Sequence, residues 1–255
     1  MQLRVLDVST NKLDKFPEEI LGLVKLTQLK ISGNRLEEMP SLTVLVRLKS
    51  VRATCVCVRL HLACPDERQH ACPPPLPPPQ LDVSGNALAT LPAIPASLRT
   101  LVASHNRLAE FPRHALTPAL DTLDLAGNAI HALRDEDLAG ADGAASADAP
   151  LALTTLHLDD NGLSELPSSW APVARLAVLT LRRNDLQYVQ LTESLFTATE
   201  LWNLRVEGNS RGQWTQSLLQ ELPGFADFEA RRLRKANKAM HGGVDVDRTL
   251  CGLSG

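Results

Sequence analysis

Six residues in one short stretch carry donors that zinc accepts: Cys55, Cys57, His61, Cys64, His70 and Cys72. Their spacing is irregular and matches no pair of CxxC knuckles, so no metal site is assigned to them. A second set, His157 and Asp159, has the residue types of an acid–base pair. Alternate residues on an extended strand merely share a face, however, and no motif places a nucleophile beside them. No glycine-rich phosphate loop follows a strand, and HExxH does not occur. The third set is Arg182, Arg183 and Arg205, whose guanidinium groups suit carboxylate or phosphate. The pattern points to binding without catalysis, and it implies no cofactor.

The elements that position these residues repeat. The frame LxxLxLxxNxL begins with Leu3, Leu6, Val8, Asn11, Leu13 and returns with Leu26, Leu29, Ile31, Asn34, Leu36. It continues through copies centred on Asn86, Asn106, Asn128, Asn161 and Asn184 and ends with Leu201, Leu204, Val206, Asn209, which makes eight copies. Pairs such as Leu179 and Leu181 point one way into a core while their neighbours face solvent. Each short strand is expected to pair in parallel with the next copy. The asparagine after it should satisfy backbone groups that the turn leaves unpaired. Phe16-Pro17, Met39-Pro40, Leu91-Pro92, Phe111-Pro112 and Leu166-Pro167 follow in five copies. Proline fixes φ and lacks a donor, so it suits the start of a convex turn or short helix. The fold expected is an α/β leucine-rich-repeat solenoid, a curved horseshoe with a parallel sheet on its concave face.

Residues 51–80, VRATCVCVRLHLACPDERQHACPPPLPPPQ, interrupt the third copy. Asn34 and Asn86 lie 52 positions apart, and removing these 30 residues leaves 22, close to the spacing of 23 between Asn11 and Asn34. Three readings stand side by side. The segment is a translated intron, since valine can begin on GT, CPPPLPPP can come from a pyrimidine tract and glutamine can be CAG. Alternatively it is a zinc site, or an unstructured surface insertion that a solenoid tolerates on a loop. A milder insertion, GADGAASADAP, reads as a flexible convex loop near 139–150.

A formal net charge of −3 is too small to imply a nucleic-acid partner. No apolar run approaches the roughly 20 residues needed to span a bilayer. The opening MQLRVLDVST already reads as a repeat strand and no signal peptide. Neither end carries a paired set of cysteines, which suits a cytoplasmic location.

Partners of solenoids usually meet the exposed strand positions. One exposed column reads Asp7, Lys30, Asp82, Val102, Asp124, His157, Thr180, Arg205, and the next reads Ser9, Ser32, Ser84, Ser104, Ala126, Asp159, Arg182, Glu207. Asp82, Asp124, His157, Asp159, Arg182 and Arg205 are the candidate contacts for a charged protein partner. The competing reading makes aspartate and serine ordinary fillers of a solvated strand.

After Asn209 the pattern changes. Leu218, Leu219, Leu222, Phe225 and Phe228 are expected to cover the last repeat, because an open edge invites other chains. Phe225 to Met240 should form a helix made basic by Arg231, Arg232, Arg234, Lys235 and Lys238. The domains expected are repeats over 1–209, a cap with a basic helix over 210–241, and an unstructured tail over 242–255.

The stretch FPEEILGLVKL resembles the short intracellular, Ras-suppressor-like class of leucine-rich-repeat proteins. The ending LRVEGNSRGQWTQSLLQELPGFADFEARRLRKANK is similar to that of one member, in which an EGN turn precedes a leucine-rich segment and a basic helix. The resemblance implies a non-enzymatic cytosolic binding module. That member opens on a myristoylation-type Met-Gly leader, whereas this chain reads Met1-Gln2, so lipid anchoring does not carry over. Two functions are expected from this. The first is an adaptor or scaffold holding a protein on the concave face. The alternative is a structural component of a cytoskeletal or membrane-associated complex, docked through the basic helix on an acidic partner or anionic membrane surface.

Overall fold

The computed structural model describes residues 3–45, 79–140, 143, 145–146, 148–211, 214–241 and 251–253. Eight three-residue strands form one parallel sheet in chain order: β1 (Val5–Asp7), β2 (Gln28–Lys30), β3 (Gln80–Asp82), β4 (Thr100–Val102), β5 (Thr122–Asp124), β6 (Thr155–His157), β7 (Val178–Thr180) and β8 (Asn203–Arg205). The central residue of every strand is a leucine, and the register aligns Leu6, Leu29, Leu81, Leu101, Leu123, Leu156, Leu179 and Leu204. A slip of one residue would turn this entire row from core to solvent, so the leucines fix the register. Each buried leucine contributes roughly 1.5–3 kcal/mol through burial.

The repeats on either side of the insertion stack directly. Ile31 N–H donates to Asp82 O at 2.8 Å, Ala87 N–H to Leu36 O at 2.9 Å, and Leu42 N–H to Ala93 O at 3.0 Å. Gln80, assigned by spacing to the insertion, is instead the first residue of β3, where Gln28 Nε2 donates to Gln80 Oε1 at 3.1 Å. A rung needs a residue at that position, and Gln80 supplies it. The six cysteine and histidine donors lie outside the described residues, as do the readings that rest on residues 51–78.

From Asn34 onward, each asparagine of the column ties its own turn to the preceding repeat. Asn106 Nδ2 donates to Ala103 O and Ser104 O in its own turn and to Val83 O one repeat back, while its Oδ1 accepts from Leu88 N–H at 3.1 Å. Asn34, Asn86, Asn128, Asn161, Asn184 and Asn209 repeat this bridge. The amide supplies both a donor and an acceptor, which is why the position takes asparagine.

The residue before each asparagine has a left-handed backbone: Thr10, Gly33, Gly85, His105, Gly127, Asp160, Arg183 and Gly208 all have φ between 50° and 79°. Such a backbone disfavours side chains by roughly 1–2 kcal/mol. Where one occurs, it leans along the rim toward the next repeat. A Cβ on Gly127 would collide with the His105 ring, and one on Gly208 would lie 2.8 Å from Arg183 Cγ.

The convex side consists of short 3-10 turns and two brief helices, α1 (Asp135–Leu138) and α2 (Glu193–Thr197). Pro17 and Pro112 stand immediately before 3-10 turns, as their fixed φ favours. Beyond β8 come α3 (Gln216–Gln220) and α4 (Phe225–His241). Thr215 caps α3 by accepting from Leu218 N–H at 3.3 Å. Phe225 and Phe228 bury against Phe196 of α2, with ring centroids 5.2–5.8 Å apart across the three rings. The tail expected to lack structure has a placed portion: Cys251 and Leu253 are buried, and Cys251 O accepts from Val206 N–H at 3.2 Å. Two apolar side chains flanking a glycine can fill the last rung, so this part of the tail is ordered.

Candidate functional site

The six candidate residues share the strand face but fall into two groups. Asp82, Asp124 and His157 occupy the outer ends of β3, β5 and β6, and Arg205 the end of β8. Asp159 and Arg182 follow β6 and β7 two residues further along.

The acidic residues of the first group brace their own turns. Asp82 Oδ1 accepts from Ser84 N–H at 3.0 Å and from Ser84 Oγ at 2.7 Å, and Asp124 Oδ1 accepts from Ala126 N–H at 3.0 Å. Asp7 does the same with Ser9, and those hydrogen bonds hold its carboxyl below the usual carboxylate range. Two strand spacings, about 9.6 Å, separate the rungs of Asp82 and Asp124, with Val102 between them. His157 Nδ1 lies 3.0 Å from Thr180 Oγ1, while Asp159 is engaged by Arg182. The hydrogen bonds of His157 and Asp159 thus go to different neighbours, as an ordinary shared strand face allows.

The structure gathers the second group into a ladder. Asp159, 4 % exposed, accepts from Arg182 N–H at 2.8 Å and from the Arg182 guanidinium at 3.0 and 2.8 Å. The other edge of Arg182 approaches Glu207 at 4.0 Å, and Arg205 donates to Glu207 at 3.0 and 2.7 Å. Two arginines and two carboxylates therefore alternate over β6–β8, and their charges cancel locally. On the adjacent rim, Arg183 pairs with Asp160. That hydrogen bond, with Arg182 and His105 adding to it, holds the Asp160 carboxyl below its usual range.

Glu207 is the member that sequence reasoning left out. Its signal was present, because Asp159, Arg182 and Glu207 follow one another in a single column. One residue of the basic helix has a structural role. Arg231 donates to Leu201 O at 2.8 Å and Phe196 O at 2.5 Å, so it clamps α4 onto the last repeat. Burial pushes its pKa down. Lys235 lies over the Trp202 ring at 5.9 Å, which leaves Arg234 and Lys238 on the exposed side with Leu233.

Away from the strands, a groove of about 850 Å³ runs along residues that follow the asparagines, lined among others by Leu91, Phe111, His114, His131, Arg134 and Asp137. His114 Nε2 is tied to Leu91 O at 3.0 Å, and burial raises the Asp137 carboxyl. Among the described residues, no three His, Cys, Asp or Glu side chains gather as a metal site. No helix among them is long and apolar enough to cross a membrane.

The backbone of this site has clear counterparts among solved structures. A leucine-rich-repeat protein of Leptospira interrogans superimposes with a TM-score of 0.58 at 21% identity, over 96% of this chain and 48% of that one. The chain described here folds as an α/β leucine-rich-repeat solenoid. An internalin from Listeria monocytogenes gives a TM-score of 0.56 at 18% identity, over 86% of this chain and 52% of the internalin. The ectodomain of a plant membrane receptor kinase from Arabidopsis thaliana, solved with Casparian strip integrity factor 2, gives 0.52 at 25% identity, over 82% of this chain and 21% of that one. The solenoid thus spans about half the length of the two bacterial proteins or less. No family model matches the chain, and no curated protein matches it in sequence.

Proposed function

We propose that the chain is a non-catalytic adaptor or scaffold that holds a protein partner on its strand face. The observation that carries this reading is the strand face itself: eight rungs in one register, with exposed columns changing from small and acidic to charge-paired along the solenoid. The receptor ectodomain noted above was solved in complex with a factor, which supports a binding role for this fold.

The partner's footprint comprises Asp82, Asp124 and His157, bordered by the Asp159–Arg182–Glu207–Arg205 ladder. In the first group each carboxylate uses one oxygen to brace its turn and keeps the other for a basic partner group. The arginines are already held by their carboxylates, so they orient the partner with little loss of side-chain entropy. The test is affinity capture from native lysate with wild type, Asp82→Lys/Asp124→Lys, and Glu136→Lys on the convex side. The reading expects one protein to be retained by wild type and Glu136→Lys and lost from the double variant. Equal capture by all three discards the strand face.

The exposed Leu233, Arg234 and Lys238 of α4 favour a second reading, docking of the module to an acidic partner or anionic membrane surface. Arg234→Glu/Lys238→Glu separates it from the first, because it should abolish localisation while leaving partner capture intact. The likeness of the ending to leucine-rich repeat-containing protein 57, and with it a cytoplasmic location, belongs to this proposal. The buried free thiol of Cys251 suits such a compartment.

A further inference from the structure

Along the solenoid, one main-chain hydrogen bond recurs at each step. Val8 N–H donates to Lys30 O, Ile31 to Asp82, Val83 to Val102, Ala103 to Asp124, Leu125 to His157, Leu158 to Thr180, and Leu181 to Arg205. Val206 continues the series, and its acceptor is Cys251 O at 3.2 Å. Cys251 therefore stands where the outer strand residue of a ninth repeat would stand, although it comes from more than forty residues further along the chain.

The fit extends to the side chains. Cys251 is 2 % exposed and Leu253 8 %. Cys251 has φ +56° and Gly252 φ +81°, so the segment enters as a left-handed turn, and the Glu207 carboxylate lies where the Cβ of residue 252 would be. Gln216 Nε2 donates to Leu253 O at 3.0 Å, so α3 reads the backbone from the other side. The rung holds a small side chain, a glycine and a leucine in that order, and its left-handed backbone disfavours any side chain at the middle position.

The segment is held less firmly than a repeat. Between β7 and β8 the links include Leu181 N–H to Arg205 O, Arg183 N–H to Glu207 O, and Trp202 and Asn203 N–H to Ala177 O. Between β8 and residues 251–253, the Val206–Cys251 bond is the one main-chain link among the described residues. An edge so sparsely linked is one where the backbone of another segment can compete.

We propose that the edge of β8 is a peptide-docking site, which residues 251–253 occupy in cis as a left-handed turn and from which a segment of a partner protein that makes the same turn, with a small residue, glycine and leucine in succession, displaces them. The site is separate from the strand face, so it stands or falls independently of the reading above.

The test uses a fluorescent peptide spanning residues 248–255 with alanine at the cysteine position, and the full chain as wild type and as Gly252→Val. Valine at 252 is strained by the left-handed backbone and meets the Glu207 carboxylate, so it evicts the segment. The expected result is at least tenfold tighter peptide binding by Gly252→Val than by wild type, with no binding of a peptide carrying valine at the glycine position. Equal binding to both chains, or none to a Gly252→Val chain whose circular dichroism matches wild type, overturns the proposal.

A second readout needs only wild type. Iodoacetamide labelling of Cys251, resolved from the other cysteines by peptide mass mapping, should accelerate at least tenfold at millimolar peptide. An unchanged rate overturns the proposal. So does concentration-dependent dimerisation of wild type that Gly252→Val abolishes, since the segment would then belong to a second copy.

Discussion

Replacing Asn106 by alanine tests the physical account of how the repeats hold together. The side chain is 8 % exposed and joins four backbone groups: Leu88 N–H, Val83 O, Ala103 O and Ser104 O. Alanine leaves Leu88 N–H, on a fully buried residue, without its acceptor, which costs roughly 1–3 kcal/mol. The carbonyls lose donors as well, though each keeps a second lone pair for another partner, so their share is smaller. The expected total is on the order of 3 kcal/mol, a large part of the roughly 5–15 kcal/mol that holds a domain folded. Asn11 is the internal control. It is exposed and donates only to Val8 O and Ser9 O within its own turn, where water can replace it. Asn11→Ala should therefore cost under about 1 kcal/mol. Urea denaturation followed by circular dichroism reads both, with the midpoint and slope compared because repeat arrays need not unfold in one step. Equal losses for the two variants would refute the bridging role. Asn106→Asp adds a check of sign. The new carboxylate would face three carbonyls, so its folded pKa should rise, and the variant should be most stable at low pH and lose stability as pH rises through that pKa.

Asp159→Ala should lower stability by about 2 kcal/mol, the order expected for charge-assisted hydrogen bonds to a partly exposed arginine. A thermal melt with and without 1 M salt checks it, and a difference between variant and wild type that vanishes in 1 M salt would show that the pair is fully screened and adds no stability of this size. Asp135 accepts from Ser168 Oγ at 2.6 Å and Ser169 N–H at 3.0 Å, and these bonds hold its carboxyl below the ordinary carboxylate value. A depressed carboxyl stabilises the fold above that value and loses its contribution as pH falls through the folded pKa, so Asp135→Asn should flatten the acid limb of stability measured from pH 5 down to 2. Gly208→Ala should cost at least 1–2 kcal/mol from the left-handed backbone alone, roughly. Pairing it with Arg183→Gly should recover the part due to the 2.8 Å approach of Arg183 Cγ, as a double-mutant cycle would reveal.

The repeat frame made the architecture legible because its information is local and recurrent. Leucine at every inward strand position and asparagine at every turn each demand the same environment in each copy, and the copies can satisfy it only by stacking. The eight strands, their parallel register and the asparagine bridges follow from that demand. It also made the candidate strand residues legible, since alternation alone sets which side chains face out.

What the sequence left open are relations between residues on different rungs. The column Asp159, Arg182, Glu207 could be read as three surface charges, and only lateral packing of β6 on β7 and β8 turned them into a ladder with Arg205. The basic run of α4 hid one structural clamp, because Arg231 becomes a carbonyl ligand only when the helix lies across Phe196 and Leu201. Residues 251–253 carry no repeat frame at all. Their place beside Val206 is set by an open rung that accepts a small residue, a glycine and a leucine, a fit that exists only once the rest of the solenoid is built. Periodicity determined what each repeat is, and tertiary packing decided which side chains remain free to meet a partner.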